Sequence, residues 1–235
     1  MQEAIQAVLP TAQAGFAVFD RRSATMLISH NAGQQVAAMS VVKLLIALDV
    51  LASGNWAVPD EQTQQELHDM IADSNDEIAD ELWIAGGGPS IVTRMATLLG
   101  LAGTQPPDDP GEWGDTRTTP QDLVSVYRYI TDQLPEPART LLLNALRDTP
   151  RIAADGFDQY FGIPSAMPGT PWAIKQGWGT SGSQAVMNST GLVGTDLRYV
   201  VVVLAVAPAS SYATVPAAVT AAASTLTGVL DPAFT

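Results

Sequence analysis

A serine and a lysine three positions apart, in Ser40-Val41-Val42-Lys43, are candidate catalytic residues. Apolar spacing after Ser40 predicts a helix that begins here, and residues three apart share one helical face. A serine hydroxyl becomes a nucleophile when a base removes its proton, and a desolvated lysine can be that base. The exposed N–H groups of a helix start suit the oxyanion of an attacked carbonyl. The alternative is an N-cap serine followed by a solvated lysine.

A second lysine lies at the end of a predicted strand, in Ile174-Lys175-Gln176-Gly177-Trp178. A lysine at this position could bind a substrate carboxylate as a point charge. The glycine that follows would let a substrate backbone approach closely. Without further support, the same pattern is an ordinary charge at a sheet edge.

A third candidate element is Ser74-Asn75-Asp76, between two predicted helical stretches. Ser74 could relay a proton to a leaving group, and Asn75 or Asp76 could hydrogen-bond a substrate amide. The alternative function of this element is to cap the following helix.

The two lysines are unusual because nearly all basic residues of this acidic chain are arginines. The chain of 235 residues has 24 acids and 11 strong bases, for a formal net charge of -13. Nine of those 11 bases are arginines, so Lys43 and Lys175 are the only lysines. An acidic surface repels phosphate, so the composition disfavours a nucleic-acid partner and docking to anionic lipid.

Cysteine and histidine usage argues against a metal or cofactor. The chain has no cysteine, which excludes disulfides and thiolate ligands, and its two histidines, His30 and His68, lack ligand spacing. No apolar run is long enough for a membrane span, and the first residues do not form a secretory signal. We therefore expect a soluble monomer without a metal or a cofactor.

The chain alternates between strand and helix patterns in blocks. Strands are predicted at residues 15–20 and 25–29, helices between Ser40 and Arg147, three strands between Trp172 and Ala207, and a helix at 215–230. Runs of strands and helices in this order indicate an α+β fold with an antiparallel sheet. A cleft between the sheet and the helical block would be the natural ligand site.

Taken in order, the three motifs resemble the S-x-x-K, S-D-N and K-T-G signature of the penicillin-recognising serine enzymes. That superfamily includes the class A β-lactamases and the D,D-peptidases. Residues 86–89 are similar to the G-G-P turn of class A enzymes, and residues 114–120 to the end of their omega loop. The resemblance implies a single β-lactamase-like domain over 1–235. One lobe would comprise residues 1–39 with 157–235, and a helical lobe residues 40–156.

The resemblance also implies roles for individual residues. Ser40 would be the acylated nucleophile, Lys43 its general base or proton relay, and Ser74 the proton donor to the leaving group. Lys175 would set the local field and meet a carboxylate. The backbone N–H groups of Ser40 and Trp178 would form the oxyanion hole, and Asp76, Gln176 and Gly177 would complete the substrate-binding wall. The family further implies a small-molecule or cell-wall peptide substrate and an extracytoplasmic location, secreted or lipoprotein-type.

Several positions depart from the family pattern. The deacylating glutamate of class A lies in an E-x-x-L-N segment, which residues 101–119 lack; their acids are Asp108, Asp109, Glu112 and Asp115. Asp76 replaces an amide donor with a carboxylate, and Gln176 replaces a hydroxyl residue. Such departures predict weak or no β-lactam hydrolysis.

Two hypotheses follow from these motifs. The chain is a serine acyl-enzyme hydrolase that acts on an amide or ester, or it is a catalytically degenerate binding protein for a peptidoglycan-like ligand or a protein partner. Among the five tryptophans, only Trp178 has a position that argues for the cleft. The other four are expected in the core or as loop anchors.

Overall fold

A five-stranded antiparallel sheet forms the centre of the computed structural model, which describes residues 1–230. Its strands are β1 (Gln13–Asp20), β2 (Thr25–His30), β5 (Trp172–Ser181), β6 (Gln184–Val193) and β7 (Tyr199–Pro208). Their order in space is β2-β1-β7-β6-β5. Because β1 pairs with β7, the two ends of the chain join in one sheet, with Gly15 opposite Leu204. The predicted α+β class with an antiparallel sheet is confirmed.

Both faces of this sheet are buried, so its central strand β7 is almost entirely apolar. Successive side chains of a strand point to opposite faces. Val200 and Val202 accordingly pack into one core with the helical block. Val201 and Val203 pack into the second core, with α1 (Gln2–Val8), α8 (Ile163–Ala166) and α9 (Val215–Ser224).

The helical block lies between the two groups of strands in sequence. It contains α2 (Lys43–Ser53), α3 (Glu61–Ala72), α4 (Asp76–Ala85), α5 (Pro89–Leu99), α6 (Pro120–Asp132) and α7 (Glu136–Arg147). A two-stranded ladder of β3 (Val36–Ala37) and β4 (Arg117–Thr118) ties the start of this block to the loop that precedes α6.

Some element boundaries differ from those predicted. The C-terminal helix ends at Ser224 instead of continuing to residue 230, and α1, β3 and β4 have no counterpart in the prediction. Strand β5 runs to Ser181, so Trp178 lies within it. The last five residues of the expected lobe, 231–235, lie outside the described part of the chain. Across residues 1–230, no helix combines the length and apolar character that a bilayer span requires.

Candidate active site

Ser40 lies in a 3₁₀ turn, Met39–Val42, that leads directly into α2. Side chains three residues apart eclipse one another in a 3₁₀ helix, which brings Lys43 over Ser40. Lys43 Nζ donates to Ser40 Oγ at 3.1 Å, and the serine is only 6% exposed. The predicted helical start is therefore a tighter turn than an α-helix, and it brings the two side chains into contact.

The backbone before Ser40 is held in an unusual conformation. Met39 has a φ of 50°, in the left-handed region that few residues other than glycine adopt. The turn is anchored because Asn188 of β6 donates to the carbonyls of Ala37 and Ala38, at 2.9 and 3.0 Å. Ala38 N also donates to Thr116 O at 2.7 Å. These contacts fix where the Ser40 hydroxyl lies relative to the sheet.

Ser74 connects the two lysines. It sits in the turn between α3 and α4 with a φ of 56°, and its side chain is buried. Lys43 Nζ donates to Ser74 O at 2.8 Å and to Ser74 Oγ at 3.2 Å. Lys175 Nζ donates to the same hydroxyl at 2.9 Å. Four side chains from three distant segments, namely Ser40, Lys43, Ser74 and Lys175, therefore converge in one cluster.

Lys175 differs from Lys43 in its lack of a carboxylate partner among the described residues. Its side chain is 1% exposed, and its ammonium faces no carboxylate at ion-pair distance among residues 1–230. Burial, reinforced by repulsion from Lys43, holds the pKa of Lys175 well below its usual range. Burial therefore favours the uncharged amine, which donates to Ser74 Oγ.

Lys43 is paired with Asp76, a contact that sequence reasoning did not foresee. Lys43 Nζ lies 2.5 Å from Asp76 Oδ1, and the side chains are 0% and 56% exposed. Burial lowers the pKa of Lys43 below its usual range, although the Asp76 carboxylate acts in the opposite direction. An ammonium has three N–H donors, so it cannot serve Asp76, both serine hydroxyls and the Ser74 carbonyl at once.

Two residues expected on the substrate-binding wall have other surroundings in the structure. Gln176 is fully buried, and its Nε2 donates to the carbonyls of Gln159 and Phe161, at 3.2 and 2.6 Å. A Cβ on Gly177 would meet Ala38 O at 2.8 Å. The glycine therefore admits the turn before Ser40, and the structure does not bring either residue to the cleft surface.

Above the cluster lies an open cleft of about 540 Å³, which Ser40 borders from below. The residues that line it are Met39, Ser40, Asp76, Asp80, Gly111, Glu112, Trp113, Gly114, Asp155, Trp178, Gly179 and Tyr212. Trp178 lines it as expected, and its ring stacks on Phe157 with centroids 4.8 Å apart. The oxyanion-hole function of its backbone N–H stays a prediction.

Sequence reasoning missed several residues of this cleft. Trp113 packs against the core, as expected of a loop anchor, but it also lines the cleft, and its ring centroid lies 4.8 Å from Lys43 Nζ. Its indole N–H donates to Asp80 Oδ1 at 2.7 Å, across 33 residues of sequence. Asp155 accepts from the indole of Trp178 at 2.9 Å. Residue spacing in the sequence does not predict side-chain contacts between loops and helices that are far apart along the chain.

The loop that would carry a deacylating glutamate contributes one acid to the cleft. Glu112 lines it, while Asp108, Asp109 and Asp115 do not. The Glu112 side chain is exposed, and within residues 1–230 it accepts no hydrogen bond that would orient it. This loop therefore provides no carboxylate that a described hydrogen bond orients in the cleft.

Comparison with known proteins places the chain among β-lactamase-like structures. No family model matches it. The β-lactamase of Sphaerobacter thermophilus superposes with a TM-score of 0.74 at 17% identity, over 98% of each chain. The penicillin-binding protein PBP-A superposes with a TM-score of 0.70 at 19% identity, over 97% of this chain and 95% of its own. These likenesses confirm the fold that the motifs implied.

Closer relatives occur in mycobacteria. A protein of Mycobacterium tuberculosis named "Putative lipoprotein LppW" is 35% identical over 217 residues, which cover 89% of this chain and 68% of the relative. The protein of the same name from Mycobacterium bovis matches equally. The lipoprotein name of these relatives agrees with the extracytoplasmic location that the family resemblance implied.

Proposed function

This chain belongs to the LppW family, whose fold here is that of the penicillin-recognising enzymes, and we propose that it is a serine acyl-enzyme hydrolase. The observation that carries the proposal is the hydrogen-bonded cluster of Ser40, Lys43, Ser74 and Lys175 beneath an open cleft. A nucleophile, a base within hydrogen-bond reach and a second hydroxyl for proton relay are the parts that acyl transfer requires.

The acylation step uses these groups in order. Ser40 Oγ bonds to the carbonyl carbon of an amide or ester, and its proton passes to the neutral amine of Lys43, 3.1 Å away. The bond from that carbon to the leaving nitrogen or oxygen then breaks. The leaving group takes a proton from Ser74 Oγ, which is replenished by the Lys43 ammonium at 3.2 Å. Lys43 ends the step neutral again.

Charge that develops on the carbonyl oxygen needs preorganised donors. The backbone N–H groups of Ser40 and Trp178 serve as these donors in our proposal, since both residues border the cleft. Lys175 orients Ser74 through its bond to Oγ and adds a positive potential whenever it is protonated.

Release of the acyl group is the slow step. Water must attack the ester of Ser40, and the exposed Glu112 is not held by any described partner that would aim it at that water. The acyl-enzyme therefore accumulates, and β-lactams are hydrolysed weakly or not at all.

A second candidate function is binding without turnover, of a peptidoglycan-like ligand or a protein partner. The contact of 2.5 Å between Lys43 and Asp76 favours it, because a carboxylate stabilises the ammonium form that cannot accept the Ser40 proton. The two candidates differ in one observable, the covalent capture of an acyl group by Ser40.

Intact-protein mass spectrometry after incubation with a penicillin and with an activated ester tests the proposal. We expect an adduct of one acyl group with at least one donor, and we expect it to be absent in Ser40→Ala. A folded protein that forms no adduct with either donor would refute the hydrolase and leave the binding function.

A further inference from the structure

Two tryptophans that line the cleft each donate their indole N–H to a carboxylate that also lines it. Trp113 Nε1 donates to Asp80 Oδ1 at 2.7 Å, and Trp178 Nε1 donates to Asp155 Oδ2 at 2.9 Å. Asp155 Oδ1 also accepts from Phe157 N at 2.9 Å, which fixes that carboxylate further. These acids are therefore positioned groups of the cleft walls.

The fixed charge that faces the cleft is negative. Its lining includes four carboxylates, Asp76, Asp80, Glu112 and Asp155, and no lysine, arginine or histidine among the described residues. Both lysines lie beneath this surface, at 0% and 1% exposure. Asp76 and Lys43 offset each other, which leaves three carboxylates of the lining without a cation, and burial favours the neutral form of Lys175. A carboxylate ligand would thus meet repulsion from the walls without a surface cation to offset it.

A cation, by contrast, meets both attractive components of this cleft. Carboxylates attract it by charge, and the faces of tryptophan and tyrosine attract it through their quadrupoles. The second oxygen of Asp80 and both oxygens of Glu112 accept no hydrogen bond from residues 1–230, so they remain available to a ligand. Ser40 Oγ accepts from Lys43, and its own O–H has no acceptor in the same range.

We infer that the cleft takes an acyl donor that carries an ammonium group, such as an amine-bearing ester or peptide, rather than an anionic one. The acyl-donor part of this inference rests on the proposed function, and the charge preference rests on the lining of the cleft. The ammonium group lies between the two tryptophan–aspartate pairs, and the carbonyl carbon of the same acyl donor faces Ser40.

Two esters of the same shape, one cationic and one neutral, measure the effect of ligand charge on the acylation rate. The p-nitrophenyl esters of 4-(trimethylammonio)butyrate and 5,5-dimethylhexanoate differ only in a quaternary nitrogen against a quaternary carbon. After correction for the Ser40→Ala rate, we expect the cationic ester to acylate the protein at least about tenfold faster at low salt. This ratio should fall as the salt concentration rises, because salt screens exposed charges.

Substitution of acids inside and outside the cleft tests whether the cleft carboxylates cause the preference for the cationic ester. In Asp80→Asn/Asp155→Asn we expect the ratio of the two rates to fall to within about twofold. Asp108→Asn/Asp148→Asn changes the net charge equally at acids that do not line the cleft, and should keep the wild-type ratio. An equal rate for both esters in the wild-type protein, or a ratio that survives the cleft variant, would overturn the inference.

A binding measurement separates failure of this inference from failure of the proposed function. If no ester labels Ser40, the hydrolase proposal fails, and the charge preference is then measured by titration with choline and its neutral isostere, 3,3-dimethylbutan-1-ol. Tryptophan fluorescence reports either ligand through Trp113 and Trp178. Tighter binding of choline by at least about fivefold supports the preference, and equal binding refutes it.

Discussion

Replacement of Asp76 by asparagine tests how the lysine beside Ser40 is charged. The amide oxygen of asparagine can still accept from Lys43 Nζ, so the contact at 2.5 Å can remain while its charge is lost. The Asp76 carboxylate raises the pKa of Lys43 against the stronger effect of burial. Without it, Lys43 loses its proton at lower pH, and more of the base is neutral at pH 7.

The size of the effect follows from the contact and its exposure. An opposite charge in direct contact changes a pKa by about 1 to 3 pH units. Because the Asp76 side chain is 56% exposed, solvent screens this pair, and the lower end of the range applies. We therefore expect the acidic limb of the rate profile to move down by about one pH unit, with acylation about tenfold faster at any pH on that limb.

The assay is the rate of Ser40 acylation by p-nitrophenyl acetate between pH 5 and 9. This ester is neutral, so a change in the charge of the cleft does not alter its attraction. Asp108→Asn removes one exposed charge that does not line the cleft and should leave the profile in place. An unmoved limb would show that Lys43 is not the titrating base. A uniform loss of rate at every pH would show that Asp76 itself takes part in proton transfer.

Three further predictions concern stability and acyl release. Lys175→Met should raise the unfolding free energy at pH 7 by about 1 to 3 kcal/mol. Burial lowers the pKa of Lys175, so the folded chain loses this proton at a lower pH than the unfolded chain does. Wild-type stability therefore rises with pH until the unfolded lysine also loses its proton, and the gain measured by urea unfolding should shrink towards pH 10. Gly177→Ala should lower stability by about 1 to 3 kcal/mol, because its Cβ would overlap Ala38 O, whereas Gly33→Ala, which meets nothing within 4 Å, should change it little. Glu112→Gln should leave the lifetime of the acyl-enzyme, followed by mass spectrometry, within about twofold of wild type; a much longer lifetime would identify Glu112 as a deacylating base.

Local patterns predicted the parts of the fold that depend on neighbouring residues. The alternation of residues 15–20 indicated β1, and the apolar repeat after Ser40 indicated α2. The order of strand and helix blocks was sufficient for the α+β class, because a sheet with two buried faces needs helices on both sides. Helix α1 was missed because its seven residues carry too short a pattern.

The site residues were harder to predict, because the direction of each side chain determines whether it reaches the cleft. Lys175 and Gln176 are neighbours on a strand, so their side chains point to opposite faces, and only Lys175 reaches Ser74. Strand alternation can be applied to the sequence alone, and it would have predicted that the Gln176 side chain points away from the cleft. The Lys43–Asp76 pair and the indole–carboxylate pairs depend on long-range packing, for which the sequence contains no local signal.

The release of p-nitrophenolate in the first turnover tests most directly whether the buried cluster creates a nucleophile. Mixing the protein with excess p-nitrophenyl ester should give a burst of about one equivalent per chain, followed by a slow steady phase that reports deacylation. Ser40→Ala should give no burst. A wild-type trace that matches Ser40→Ala throughout would contradict the account, and a steady phase as fast as the burst would contradict its claim that acyl release is slow.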